Sequence, residues 1–230
     1  MKLTLIANLK SNKTSKELQS WLQFFHQHLQ PSLIKQINQQ LQLFVAPPAP
    51  YFHLFSSATP FSLLAQDVSP FPPGTYTGAI NYLHLLDFQV KGSLVGHSER
   101  RHYFHETNQD VVNKIELLLD NQLLPIVCLN ETNLTSQIEA IPFSLRQACL
   151  FAYEPTSAIG TQHPADPQQV AETFKLITRL TETDSILYGG SVNSDNLQDY
   201  LNLPHFGGFL VGGASLHPQS LFQLITQLIN

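Results

Sequence analysis

Short β-forming runs alternate with helical patterns from residue 3 to residue 229, and the unit repeats eight times. No other feature limits the fold of this chain so severely. When a helix lies between two paired strands, the strands run parallel, because only a long crossover returns the chain to the same edge. The first run covers residues 3–7, and a helix opened by a Thr14–Glu17 capping box follows it, ending before Pro31. Segments 41–46, 50–57 and 61–66 come next, and a Pro/Gly loop over 69–78 leads to a helix that Asn81 can cap. Residues 93–95 form the fourth strand candidate, followed by a short helical turn and a helix over 110–121. Later strands are expected at 123–129, 148–153, 186–188 and 209–211, with helices near 134–141, 167–181, 195–201 and 218–229. Eight such units leave nothing over, so residues 1–230 read as one domain. The expected class is α/β, a single-domain (β/α)8 barrel rather than an open doubly wound sheet. A Rossmann sheet would carry Gly-x-Gly-x-x-Gly after its first strand, and residues 8–13 contain no glycine.

Composition narrows the partners. Hydrophobic residues make up 43% of the 230, and a globule of this size buries about 70% of its chain surface, so the core needs no disulfide or metal. Lys and Arg total 12 against 17 Asp and Glu, a net charge of −5, which argues against a nucleic-acid partner or an anionic membrane. A local basic spot for one small anion remains open. Cys128 and Cys149 lie in strand-like runs without a C-x-x-C pair and are expected to be buried free thiols in a reducing compartment. The apolar run after Lys2 is broken by Asn8 and Lys10, so no signal peptide is expected, and no apolar stretch is long enough to span a bilayer. A cytoplasmic location follows as the expectation.

In a barrel of this kind chemistry gathers at the C-terminal ends of the strands. Asn8 and Lys10 end the first; the lysine can meet a substrate anion or simply be solvated. Gly96-His97-Ser98-Glu99-Arg100-Arg101 follows the fourth. Ser98 is placed to cap a short helix, with His97 beside its positive end, which would lower the imidazole pKa and keep the ring neutral. The alternative is a structural histidine beside an ion-paired turn. Glu154 ends the sixth strand before Pro155, and a carboxylate at an apolar rim is a candidate base. Residues 155–161 have a rigid start and a flexible finish, the make-up of a hinged lid or of an ordinary loop. Tyr188-Gly189-Gly190-Ser191 and Val211-Gly212-Gly213-Ala214-Ser215 end strands seven and eight, where paired glycines let backbone N–H groups approach a phosphate.

These segments stand in the order found in the triosephosphate isomerase family, which the chain resembles along nearly its whole length. Asn8-Leu9-Lys10, Gly96 to Arg101, Ala152-Tyr153-Glu154-Pro155, Ala158-Ile159-Gly160-Thr161, Tyr188 to Val192 and Val211 to Ser215 carry the resemblance. It implies a TIM barrel that interconverts dihydroxyacetone phosphate and D-glyceraldehyde 3-phosphate through an enediol(ate). Glu154 would be the base and neutral His97 the electrophile. Lys10, supported by Asn8, would stabilise the enediolate and the phosphate. Gly160, Ser191, Gly212 and Gly213 would bind phosphate oxygens, and Glu99 would stand behind the catalytic groups. The resemblance implies no cofactor and no metal. It also implies a homodimer through the 69–78 loop, with Thr77 reaching toward a neighbour's site.

The chain departs from the family pattern at three places. Ser157 stands where the family's lid usually carries tryptophan, Asn130 replaces the glycine of Cys-Ile-Gly-Glu, and Ala79 replaces the glutamate of Thr-Gly-Glu. The altered lid leaves two alternatives open, a four-carbon ketose phosphate as substrate and a barrel that binds sugar phosphates without turnover.

Overall fold

The computed structural model describes residues 2–55, 60–156, 158 and 164–230. Its strands are β1 (Leu3–Asn8), β2 (Leu41–Ala46), β3 (Ser62–Leu63), β4 (Gly92–Val95), β5 (Leu124–Leu129), β6 (Leu150–Tyr153), β7 (Ile186–Tyr188) and β8 (Phe206–Val211). Every pairing is parallel, in the order β3-β2-β1-β8-β7-β6-β5-β4. The two ends of that order meet at the Ala65–Ser93 bridge, where Ala65 N–H donates to the Gly92 carbonyl and Leu94 N–H to the Ala65 carbonyl, both at 2.9 Å. The eight strands therefore form the barrel that the alternation predicts.

The helices are α1 (Ser15–His28), α2 (Pro31–Gln40), α3 (Tyr82–Asp87), α4 (Ser98–Phe104), α5 (Asn108–Asp120), α6 (Leu134–Ala140), α7 (Phe143–Arg146), α8 (Pro167–Thr181) and α9 (Pro218–Ile229). Thr14 and Glu17 form the expected reciprocal cap on α1, and Asn81 accepts from the N–H groups of Leu83 and His84 at the start of α3. In α1 the buried residues Leu18, Trp21, Leu22 and Phe25 recur at helical spacing, and each such burial is worth about 1.5–3 kcal/mol. No described helix is long and apolar enough to cross a membrane.

Three segments differ from expectation. Residues 31–40 fold as α2, with Pro31 in its first turn; Ile37 is buried, and Leu33 and Ile34 on the same face are partly buried against the core. Within segment 50–57 a 3-10 helix runs over Ala49–Leu54, and residues 56 and 57 lie outside the described residues. Segment 195–201 forms only a 3-10 turn, Leu197–Asp199, because side-chain amides capture its start. Asn193 Oδ1 accepts from the N–H of Asp195 at 2.8 Å and of Asn196 at 3.2 Å.

Side chains alternate along each strand. One set, with Ile6, Leu94, Ile126, Cys128, Ala152, Leu187 and Leu210 among its members, packs as one cluster inside the barrel. Their neighbours Leu5, Val95, Val127, Phe151 and Phe209 pack outward beneath the helices. Continuing the inward rows by two residues gives Asn8 after Ile6, Glu154 after Ala152 and Gly212 after Leu210. The floor of the site is thus the top of the barrel core. Cys128 and Cys149 are both free and buried.

Candidate active site

Lys10 has a φ of 51°, a left-handed conformation that costs a side-chain-bearing residue about 1–2 kcal/mol. Its surroundings hold it there. Its N–H donates to Asn8 Oδ1 at 3.0 Å, and Gln66 Nε2 donates to its carbonyl at 2.8 Å. The side chain then spans to Glu99, with Nζ 2.7 Å from Oε1. Ser191 is left-handed too, at φ 40°, and its hydroxyl donates to the Ala158 carbonyl. Strain of this kind gathers at functional sites because surrounding structure must maintain it.

Gly96 leads out of β4 with a φ of +72°, and a Cβ there would lie 3.2 Å from both Val111 and Arg101, so glycine is required. His97, not Ser98, is the residue that caps α4. Its ring Nδ1 accepts from the Glu99 N–H at 3.2 Å, which displaces the serine hydroxyl from that role. That bond occupies the Nδ1 lone pair, so the neutral ring carries its proton on Nε2. Nε2 lies 3.2 Å from Glu154 Oε1, off the axis of a good hydrogen bond. The sequence suggests an imidazole pKa lowered by the helix, and the surroundings reverse this. Burial does oppose the charged ring, but the Glu154 carboxylate, aided by Glu99, outweighs burial and Lys10 and raises the pKa above the ordinary histidine value.

Glu154 follows β6, its N–H donating to the Leu129 carbonyl at 2.8 Å. Only 6% of its side chain is exposed, and among the described residues Oε2 has no hydrogen-bond partner. Gly189 makes room for it, since a Cβ at that position would sit 2.6 Å from Glu154 Cγ. Just behind, the Glu131 carboxylate accepts from Tyr153 Oη at 3.2 Å, Thr156 N–H at 3.0 Å and Thr156 Oγ1 at 3.1 Å. Sequence reasoning missed this clamp, which grips the chain on both sides of Glu154. The only available signal was the polar Tyr153 and Thr156 flanking an otherwise apolar strand end.

Asn8, Lys10, Glu154, Ser191, Gly212 and Gly213 line one cavity of about 670 Å³. An adjoining cavity of about 740 Å³ shares Asn8 and Lys10 and adds His97 and Glu99. Every expected site residue but one therefore converges on the rim of the barrel. Gly160 lies outside the described residues, as does Ser157. Asn130 caps its own turn, its Oδ1 accepting from Thr132 and Asn133 N–H groups.

An α/β barrel that brings a buried carboxylate, an imidazole, a lysine and glycine-rich backbone to two adjoining cavities at one rim is built for proton transfer on a small anionic molecule. The comparisons with known proteins narrow this class. The sequence model of the triosephosphate isomerase family matches residues 3–228, and the chain belongs to that family. It is 39% identical over 241 aligned positions to the triosephosphate isomerase of Mesomycoplasma hyorhinis, covering 98% of each chain. It is 34% identical to that of Mycoplasma pneumoniae, covering 92% of this chain and 93% of the relative. With the enzyme of Dictyoglomus turgidum the identity is 31%, over 96% of this chain and 97% of the relative.

Proposed function

We propose that this barrel is a triose-phosphate isomerase that interconverts dihydroxyacetone phosphate and D-glyceraldehyde 3-phosphate. The observation that carries the reading is the Glu154–His97 pair, buried and 3.2 Å apart, Glu154 on one and His97 on the other of the two adjoining cavities that Lys10 lines. Glu154 removes a proton from C1 of dihydroxyacetone phosphate and returns one to C2. His97 donates from Nε2 to the carbonyl oxygen as charge develops there, then takes a proton from the neighbouring hydroxyl. The Glu99 N–H on Nδ1 places the proton of the neutral ring on Nε2, and once Glu154 has taken the C1 proton the charge that raises the His97 pKa is gone. Lys10 stabilises the enediolate and the phosphate, and Asn8 holds Lys10 in its strained turn. Gly160, Ser191, Gly212 and Gly213 bind the phosphate through backbone N–H groups, and Glu99 orients both Lys10 and the His97 ring. A positioned base contributes about 10²–10⁴-fold and one well-placed charge donor about 10²–10³-fold.

Turnover of glyceraldehyde 3-phosphate in deuterated water tests this. A carboxylic acid intermediate exchanges its proton with solvent, so deuterium enters the carbon that Glu154 reprotonates. Turnover with no solvent deuterium in the product would contradict a carboxylate base.

The same reading makes the protein a cytoplasmic homodimer through the 69–78 loop, with Thr77 directed toward the neighbour's site. Its support is an exposed aromatic pair on that loop. Phe71 and Tyr76 are 44% and 42% exposed and stack with centroids 4.7 Å apart. Sedimentation should give twice the chain mass of 25.8 kDa, and a monomer at all concentrations would refute the dimer.

A further inference from the structure

Trp21 is the only tryptophan in the chain, and it lies on the inward stripe of α1. Its ring is 1% exposed and packs against Phe25, Phe61 and Phe55, with centroids 4.5, 5.2 and 6.3 Å away. Apolar packing would need no more than that. The indole also does something packing does not require. Its Nε1–H donates to the Ser215 carbonyl at 2.9 Å, a buried bond between residues 194 positions apart.

Ser215 is fully buried and lies in the 3-10 helix Gly213–Leu216, which follows β8. Its N–H donates to the Gly212 carbonyl at 3.0 Å, and its hydroxyl lies 2.5 Å from that same carbonyl and 3.1 Å from the Asn8 carbonyl. All three polar groups of Ser215 are thus committed: the N–H and the hydroxyl to the glycine turn, the hydroxyl also within reach of the end of β1, and the carbonyl to Trp21. Neither glycine has a side chain with which to hold the turn, so it is held through Ser215, whose N–H and hydroxyl meet the Gly212 carbonyl and whose carbonyl meets Trp21. Among the described residues, a Cβ at Gly213 would meet nothing within 4 Å, and one at Gly212 would meet only Lys10, its Cε at 3.1 Å. Backbone anchoring therefore decides where the Gly212 and Gly213 N–H groups point.

We propose that Trp21 is a positioning residue for phosphate binding. Its indole N–H, acting through the Ser215 carbonyl, fixes the turn whose N–H groups receive the phosphate. This rests on the phosphate cradle of the proposed function and deepens it. Without the N–H, the Ser215 carbonyl is left in a dry site without its donor, and the turn shifts to find another. Donors aimed in advance stabilise an anion at no cost of rearrangement, and a shifted turn loses that advantage.

The test uses two changes at Trp21. Trp21→Phe keeps an aromatic ring and removes the N–H; benzothienylalanine at the same position keeps the full ring size with sulfur in place of N–H. For each protein, inhibition by inorganic phosphate is measured, with kcat and KM for glyceraldehyde 3-phosphate and kcat/KM for unphosphorylated glyceraldehyde. With one buried hydrogen bond lost, the phosphate inhibition constant and KM should rise about threefold to tenfold in both proteins, while the rate with glyceraldehyde stays within about twofold. Wild-type phosphate affinity in the benzothienylalanine protein would overturn the proposal. So would an equal fall with both substrates, which is the mark of a purely structural role. If the unaltered protein itself shows no inhibition by phosphate, the cradle reading fails, and that failure is visible before any variant is made.

Discussion

Two buried glutamates sit at the same rim of the barrel and are treated in opposite ways. Glu106, its side chain 3% exposed, has every direction filled. Its Oε1 takes Lys114 Nζ at 3.0 Å and the Gly96 N–H at 3.2 Å, and its Oε2 takes Arg100 Nε at 3.0 Å. Asp67 completes the cluster, 2.6 Å from Lys114 and 2.9 Å from Arg100, so two cations face two carboxylates. Burial raises the Asp67 pKa, and those cations oppose the rise. Glu154 is 6% exposed, and among the described residues only the His97 ring lies within ion-pair reach. Lys10, the nearby cation of the site, is spent on Glu99. A carboxylate whose lone pairs are all committed serves to hold the structure. One kept dry with an oxygen uncommitted costs stability and is free to take a proton.

The largest expected effect comes from breaking the filled cluster. Glu106→Gln leaves Lys114 and Arg100 with Asp67 as their only carboxylate and should cost about 3–5 kcal/mol in urea unfolding. A loss below about 1 kcal/mol would erase the contrast between the two glutamates. Next is Lys10→Met, which should lower kcat/KM about 10²–10³-fold. Its melting temperature should barely move, because the Lys10–Glu99 pair is 26% and 41% exposed and solvent screens it. Thr156→Val removes one of three bonds to Glu131 and leaves the backbone N–H in place. It should cost about 0.5–1.5 kcal/mol by denaturant titration.

Asp110 offers the smallest effect and a third kind of carboxylate, a half-buried one that caps α5. The Thr107 hydroxyl and N–H hold its pKa below 3.8. A lowered pKa means the stabilisation is full above the unfolded value and fades as pH falls through the folded one. The melting-temperature gap between the wild type and Asp110→Asn should be constant at pH 5–7 and shrink below pH 3.8. A gap independent of pH would show that the charge plays no part in the cap.

Much of the site was legible because strands obey a period of two. Asn8, Glu154 and Gly212 each follow an inward core residue by two places, so their direction is implied once the strands are placed. His97 was legible as a histidine after β4, but its capping role was not. Ser98 has the better capping propensity, and only the folded turn brings the ring Nδ1 to the Glu99 N–H. Helix α2 escaped because Pro31 reads as the stop of the preceding helix and the apolar face of Leu33, Ile34 and Ile37 is short, and local Asn turns shortened the 195–201 segment. The Glu131 clamp and the Trp21–Ser215 bond join residues 22–25 and 194 positions apart, and no local pattern encodes such pairings.

The most direct test of the contrast is Glu154→Gln, assayed for turnover of glyceraldehyde 3-phosphate and for urea stability on the same preparation. The account expects kcat/KM to fall by about 10²–10⁴-fold or more. Stability should change little, because a neutral amide replaces a buried charge whose one partner in reach is the titrating His97 ring, and removing that charge leaves the ring free to stay neutral. A variant that keeps its activity, or one that unfolds as Glu106→Gln is expected to, would contradict the assignment of Glu154 as the free base of the site.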